Sequence, residues 1–155
     1  MATIREARET FLYGGNWSFP LSDALDETRD GLALEWAARC LRILIPVART
    51  PNGEYLLQVI NPLCQQAETI PLQEFVQAVN RLQSVTPVAD DAVKAATHLV
   101  SAWKKHRYGQ RTLYRIYLEA ALECMLISTG RPVELSELAL RECDAIATEN
   151  GVLFA

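Results

Sequence analysis

Residues 43–60 read ILIPVARTPNGEYLLQVI, and their conformation decides the fold class. Pro51-Asn52-Gly53 is a turn signal, so the apolar runs on either side fit the two strands of a hairpin. The same residues also fit a helix that stops at Pro46 and a second that restarts at Asn52. In that version Tyr55, Leu56, Val59, Ile60 and Leu63 face inward. Pro62 limits either one. Helices are favoured, because nothing else in the chain offers a strand for a hairpin to join and an isolated hairpin is marginal in water.

Towards the N-terminus the helical pattern is plainer. From Thr28 to Leu44, the residues Leu32, Trp36, Cys40 and Ile43/Leu44 form one apolar stripe, with Glu35, Arg39 and Arg42 on the opposite face. Glu35 and Arg39 stand four apart in the favourable order for an ion pair. Earlier still, Ile4, Ala7 and Phe11 recur at helical spacing until Gly14-Gly15, where a short first helix should stop. The loop GGNWSFP over 14–20 carries Trp17 and Phe19, two large aromatics that need burial against their own domain or a partner. Ser22/Asp23 would then cap a further turn or two. Residues 1–20 thus read as an N-terminal arm and aromatic loop on a single helical domain, 1–155.

Towards the C-terminus, Thr69-Ile70-Pro71 opens a helix to about Gln83 with Leu72, Phe75/Val76, Val79 and Leu82 inward. Asp90 caps the next, which carries Val93, Ala96, Val100 and Trp103 on one side. Gly109 interrupts or bends the path before a long helix from about Gln110 to Ser128, which should end at Gly130. That helix is apolar on most of its surface, with Leu113, Ile116, Tyr117, Ala120, Cys124 and Ile127 on one side and Tyr114, Leu118, Ala121 and Met125 beside them. It should therefore be central. A last helix spans roughly Glu134 to Glu149. The expected architecture is an all-α, compact single-domain bundle of six or seven helices, with no internal repeat.

Half of the 155 residues are apolar and the charged fraction is ordinary, which fits one globular domain with a substantial core. The first residues, MATIREARETF, alternate acids and bases and do not resemble a secretion signal. The longest apolar stretch, around Leu41 to Ala48, is broken by Arg42 and Pro46 and falls far short of the ~20 residues that span a bilayer. The expectation is a cytoplasmic protein with no membrane partner. Cys40, Cys64, Cys124 and Cys143 have no close pairing and read as free thiols rather than a disulfide framework or a zinc site.

Catalytic signatures are missing. There is no phosphate-binding GxxxxGK[ST] or GxGxxG loop, and only His98 and His106 are available as bases for a nucleophile. Glu119 and Glu123 could supply half of a carboxylate metal site, but the ExxH partners are absent and Arg115 stands four residues before Glu119. No metal, cofactor or enzymatic activity is expected.

What stands out is Trp103–Arg115, WKKHRYGQRTLYR. It holds Lys104, Lys105, Arg107, Arg111 and Arg115 with no acid among them, in a chain of fifteen basic and nineteen acidic residues. Cations at a helix end complement the helix dipole, which accounts for Lys104, Lys105 and Arg107 but not for Arg111 and Arg115 at the start of the next helix. Tyr108, Tyr114 and Trp103 interleave aromatics among the charges, although Trp103 also fits the apolar stripe and so the core. Arginine, tyrosine and tryptophan together anchor protein interfaces, and the same mix stacks bases and holds phosphates.

The reading is therefore a non-enzymatic interaction module: an adaptor, a chaperone-like subunit or an immunity-type inhibitor of a toxin. Lys104, Lys105, Arg107, Tyr108, Arg111 and Arg115 would meet an acidic protein surface, with Trp17 and Phe19 as a second contact. Nucleic acid on the same face is the alternative. An enzyme with a small-molecule pocket near Cys124 or Glu123 is a third. A homodimer closed by the Trp17/Phe19 loop and the first helix is compatible with the sequence.

Overall fold

The computed structural model describes residues 3–7, 19–46, 50, 53–65, 70–85, 90–129 and 132–152. Among them run seven helices: α1 (Phe19–Thr28), α2 (Leu32–Leu44), α3 (Gly53–Leu63), α4 (Leu72–Val85), α5 (Asp91–Arg107), α6 (Arg111–Thr129) and α7 (Pro132–Glu149). Residues 4–7 add a helical segment, opened by a reciprocal cap in which the Thr3 hydroxyl accepts from the Glu6 amide and Glu6 accepts from the Thr3 amide. Ile4 and Ala7 bury their side chains in the core, so this part of the expected arm packs on the body.

The described residues hold no strand, and the fold is all-α. In the region that decided the class, α2 ends at Leu44, just before Pro46, and α3 begins at Gly53, so the apolar runs on both sides of the expected turn are helical over 43–44 and 53–60. The hairpin alternative is discarded. Within α3 the buried residues are Leu56, Val59, Ile60 and Leu63, while Tyr55, expected inward, is exposed.

The hub of the bundle is α2. Ten of its thirteen residues are buried, and it packs against α1, α3, α5, α6 and α7. Ala33, Ala37, Ala38 and Cys40 are small enough to let neighbours approach from several sides, and Trp36 fills the centre and donates its indole N–H to the Ala139 carbonyl at 2.8 Å. The expectation that the 110–128 helix is central is corrected accordingly. α6 has two apolar stripes: Tyr114, Leu118, Ala121, Leu122 and Met125 are buried in the core, Tyr117, Cys124 and Leu126 pack partly buried against it, and Leu113, Ile116 and Ile127 are exposed.

Two further expectations change for similar reasons. Glu35 does not pair with Arg39. It is buried against the Arg29 guanidinium, whose Nε donates to Asn150 Oδ1 at 2.9 Å. Arg39 instead forks onto the Glu149 carboxylate at the end of α7, with contacts of 3.1 and 2.7 Å. On α4, Leu72 and Val76 point outward, and Phe75, Ala78, Val79 and Leu82 make the buried face. Ser22 and Asp23, expected to cap a short turn, lie inside α1.

Caps explain the remaining boundaries. Asp90 caps α5 as expected, its Oδ1 accepting from the Ala92 and Val93 amides. α2 starts after Gly31, whose φ of 84° is left-handed and which supplies no side-chain cap. Asp26 of the preceding helix takes that role, accepting from the Ala33 amide at 2.9 Å. α5 and α6 form an antiparallel helical hairpin, the most extensive packing in the molecule. Its turn bends at Gly109, with φ 70°, and closes with the Gln110 amide donating to the Lys105 carbonyl at 2.9 Å.

Candidate functional site

The α5–α6 hairpin gathers most of the candidate residues at one end of the bundle. Because the chain breaks at Gly109, Arg107, Arg111 and Arg115 do not share one helical face. Lys104, Lys105, His106 and Arg107 fill the last turn of α5, where their charge offsets the helix dipole. Trp103 is buried, edge-on to Phe75 with ring centroids 4.8 Å apart. The Arg107 guanidinium lies over the outer part of that indole, 5.1 Å from its centroid, a cation–π contact that steadies the arginine at the surface.

At the tip, Tyr108 is 78% exposed. Lys104 is exposed beside it, and none of Lys104, Lys105 and Arg107 makes an ion pair among the described residues.

Arg111 and Arg115 have intramolecular partners that sequence spacing could not reveal. Arg115 donates to Asp23 on α1 at 2.9 Å, and Arg111 stands 3.7 Å from Asp30 in the α1–α2 turn. Their location at the start of a helix, unfavourable on dipole grounds, is thereby accounted for: both tie α6 to α1 and its following turn. Trp17 lies outside the described residues. Phe19 opens α1, and its side chain also lies outside them.

Where the α5–α6 turn meets the α1–α2 turn there is a cleft of about 70 Å³, lined by Asp30, His106, Gly109, Arg111 and Tyr114. The His106 ring packs beneath Gly31, close enough that a Cβ there would meet it at 3.1 Å, and lies 5.3 Å from the Tyr114 ring. Its Nε2 is 3.2 Å from Asp30 Oδ2. Tyr114 reaches further in and donates its phenol hydrogen to Asp26 Oδ1 at 3.2 Å. Burial pushes the Asp26 carboxyl up to about 6, against the Ala33 and Tyr114 hydrogen bonds that lower it, and burial also raises Tyr114 far above the ordinary phenol range.

Among the described residues no serine, threonine or cysteine lines this cleft, and a phenol so reluctant to ionise is a structural donor rather than a nucleophile.

His98 is half-buried and stacked on Tyr117, 6.2 Å between centroids, and burial lowers its affinity for a proton. Arg115 makes its ion pair with Asp23 and acts on Glu119 as a nearby charge. The Glu119 Oε2 is buried without a hydrogen-bond partner among the described residues, and burial together with Glu123 raises the pKa of that carboxyl. Among the described residues, no group of three or more His, Cys, Asp and Glu side chains could hold a metal ion, and no helix is long and apolar enough to cross a membrane. Comparison with known proteins finds no matching family model, no similar curated protein and no matching solved structure.

Sequence reasoning missed Asp23, Asp26 and Asp30. Each is an ordinary acid by local pattern, and only the tertiary contacts of Asp23 with Arg115, Asp26 with Tyr114 and Asp30 with Arg111 bring it to the site. The exposure of Leu113, Ile116 and Ile127 was also missed. Their spacing is visible, but periodicity alone does not say which of two apolar stripes the core will take.

Proposed function

We propose that this chain is a non-enzymatic protein-binding module that meets an acidic protein surface with the tip of the α5–α6 hairpin. The observation that supports this reading most is Tyr108, 78% exposed at the end of a helical hairpin and flanked by Lys104 and Arg107. An aromatic held out in this way brings contact area with little side-chain entropy to lose. The adjacent cations steer an acidic partner and set its register. Arg107, stacked on Trp103, loses little freedom on pairing with a carboxylate. Arg111 and Arg115 frame the surface while remaining engaged with Asp30 and Asp23. An adaptor, a chaperone-like subunit or an immunity-type inhibitor would work through such a contact from a soluble, cytoplasmic setting.

The test is affinity purification from the native host with the wild type and a Lys104→Glu/Arg107→Glu/Tyr108→Ala variant, each with and without nuclease. A protein retained by the wild type through nuclease treatment and lost by a folded variant supports the reading. Partners that disappear with nuclease replace it with nucleic-acid binding. Identical recoveries from both baits reject it.

A further inference from the structure

We propose that the cleft between the α1–α2 and α5–α6 turns is the anchoring pocket of the tip, and that it takes the side-chain carboxylate of an aspartate or glutamate on the partner. This rests on the tip contact proposed for the same surface and names the group that the partner must bring. Gly109, next in the chain to the exposed Tyr108, lines the cleft together with Asp30, His106, Arg111 and Tyr114. A partner seated on Tyr108 therefore lies beside its mouth.

Two donors in the cleft are poorly used. His106 Nε2 is buried and no hydrogen bond among the described residues satisfies it, because Asp30 Oδ2, 3.2 Å away, stands outside hydrogen-bond geometry. Arg111 Nη1 is 3.7 Å from Asp30 Oδ1, too far for a hydrogen bond, and the two side chains are 66% and 68% exposed. A buried donor without a well-placed acceptor costs free energy that an incoming acceptor recovers. Tyr114 is not in this position. Its hydroxyl donates to Asp26, whose same oxygen accepts the Ala33 amide.

Asp30 shows which chemistry fits. Its two carboxylate oxygens divide between His106 and Arg111, so a planar group with two acceptors spans both donors. Asp30 is tethered in the short turn 29–31 and makes a hydrogen bond to neither. A carboxylate carried in by a partner has no such tether. In the tip contact alone Arg111 stays on Asp30; entry of the partner's carboxylate exchanges it, so Asp30 competes with the partner for the cleft.

Charge and size agree with a carboxylate. The cleft lies at the N-terminus of α6, whose first turn holds no acid. The last turn of α5 beside it carries Lys104, Lys105 and Arg107, none of them in an ion pair among the described residues. The positive end of a helix and an excess of cations both favour an anion. The volume of about 70 Å³ has room for a few water-sized groups, so a carboxylate and its methylene fit and a nucleobase does not. A phosphate would set a larger and more highly charged group against Asp30.

The experiment titrates the full chain, isotope-labelled for NMR, with a capped hexaglutamate peptide at about pH 7 and about 20 mM salt. The His106 imidazole resonances should move and saturate. Arg111→Gln should weaken binding and Asp30→Asn should tighten it, each about threefold or more. Both positions are exposed, so these variants should melt as the wild type does. Asp23→Asn removes the same charge beside Arg115, outside the cleft, and should change the affinity less than about twofold. The proposal is overturned by any of four results: no saturable shift at His106, an Asp30→Asn variant that binds no tighter than Asp23→Asn, an Arg111→Gln variant that binds as wild type, or oligothymidylate that displaces the peptide from His106 at lower concentration. The last would give the cleft to nucleic acid. The two proposals fail separately. A partner captured through Tyr108 while the peptide leaves His106 unmoved removes the cleft alone, and a peptide bound in the cleft with no partner captured removes the tip contact.

Discussion

The Tyr114 hydroxyl on α6 hydrogen-bonds to Asp26 on α1 at 3.2 Å, and both side chains are buried. The same carboxylate oxygen accepts the Ala33 amide at the start of α2. One acid therefore joins three helices, and burial holds its pKa near 6 instead of the ordinary 3.8. A buried acid with a raised pKa stabilises the fold most when protonated. Its contribution is complete below about 3.8 and is lost as pH rises through about 6, a difference on the order of 3 kcal/mol. Asp26→Asn keeps an acceptor for the Ala33 amide and cannot ionise. Urea denaturation between about pH 4 and 7.5 should show the wild type losing stability relative to this variant as pH rises. A constant difference between the two would mean that Asp26 does not titrate in the fold.

Gly31 and Gly109 both have left-handed backbones, but only Gly31 is crowded. A Cβ at Gly31 meets the His106 ring at 3.1 Å, whereas nothing lies within 4 Å of one at Gly109. Gly109→Ala should cost about 1–2 kcal/mol from backbone strain alone. Gly31→Ala should cost about 1 kcal/mol more and displace the His106 ring. Thermal melts rank the two, and the His106 imidazole resonances should shift only in the Gly31 variant.

The Arg115–Asp23 contact is half-exposed, so its expected contribution is no more than about 1 kcal/mol. Arg115→Asp alone places two acids together and should destabilise by about that amount. Adding Asp23→Arg should recover most of the loss. A double-mutant cycle by chemical denaturation measures the coupling, and zero coupling would mean that this ion pair adds nothing to the Tyr114–Asp26 hydrogen bond in joining α6 to α1.

Thiol reactivity should follow burial. Cys40 is fully enclosed and its pKa is pushed far up, and Cys64 is raised to about 11. Cys124 is raised too, but it is only half-buried, on the outer side of α6. Alkylation with iodoacetamide at about pH 8, followed by peptide mass spectrometry, should label Cys124 first in the native protein and the other three only after unfolding. Early labelling of Cys40 would show that α2 and α7 separate readily.

Much of the secondary structure was legible because its causes are local. Asp90 precedes an apolar run and caps it through the Ala92 and Val93 amides, and Pro46 follows the end of α2 as its missing N–H dictates. Inward faces were legible only where a helix has a single apolar stripe, as in α5. On α4 and α6 two stripes compete, and Leu72, Val76, Leu113, Ile116 and Ile127 ended outside. The candidate site divides in the same way. Tyr108, Lys104 and Arg107 could be found by composition, whereas the partners of Arg111 and Arg115 could not.

From sequence alone came the all-α class, the approximate helix boundaries and the basic, aromatic segment 103–115. These rest on periodicity, capping and charge within one or two helical turns, which the chain carries in its local order. Only the tertiary structure decided that α2 is the hub, that Asp23, Asp26 and Asp30 receive α6 and the end of α5, and that one stripe of α6 stays uncovered. Those outcomes depend on which small residues let helices approach and on contacts such as Asp26 to Tyr114, eighty-eight positions apart. Local pattern does not encode such distances; the packing of the whole chain sets them.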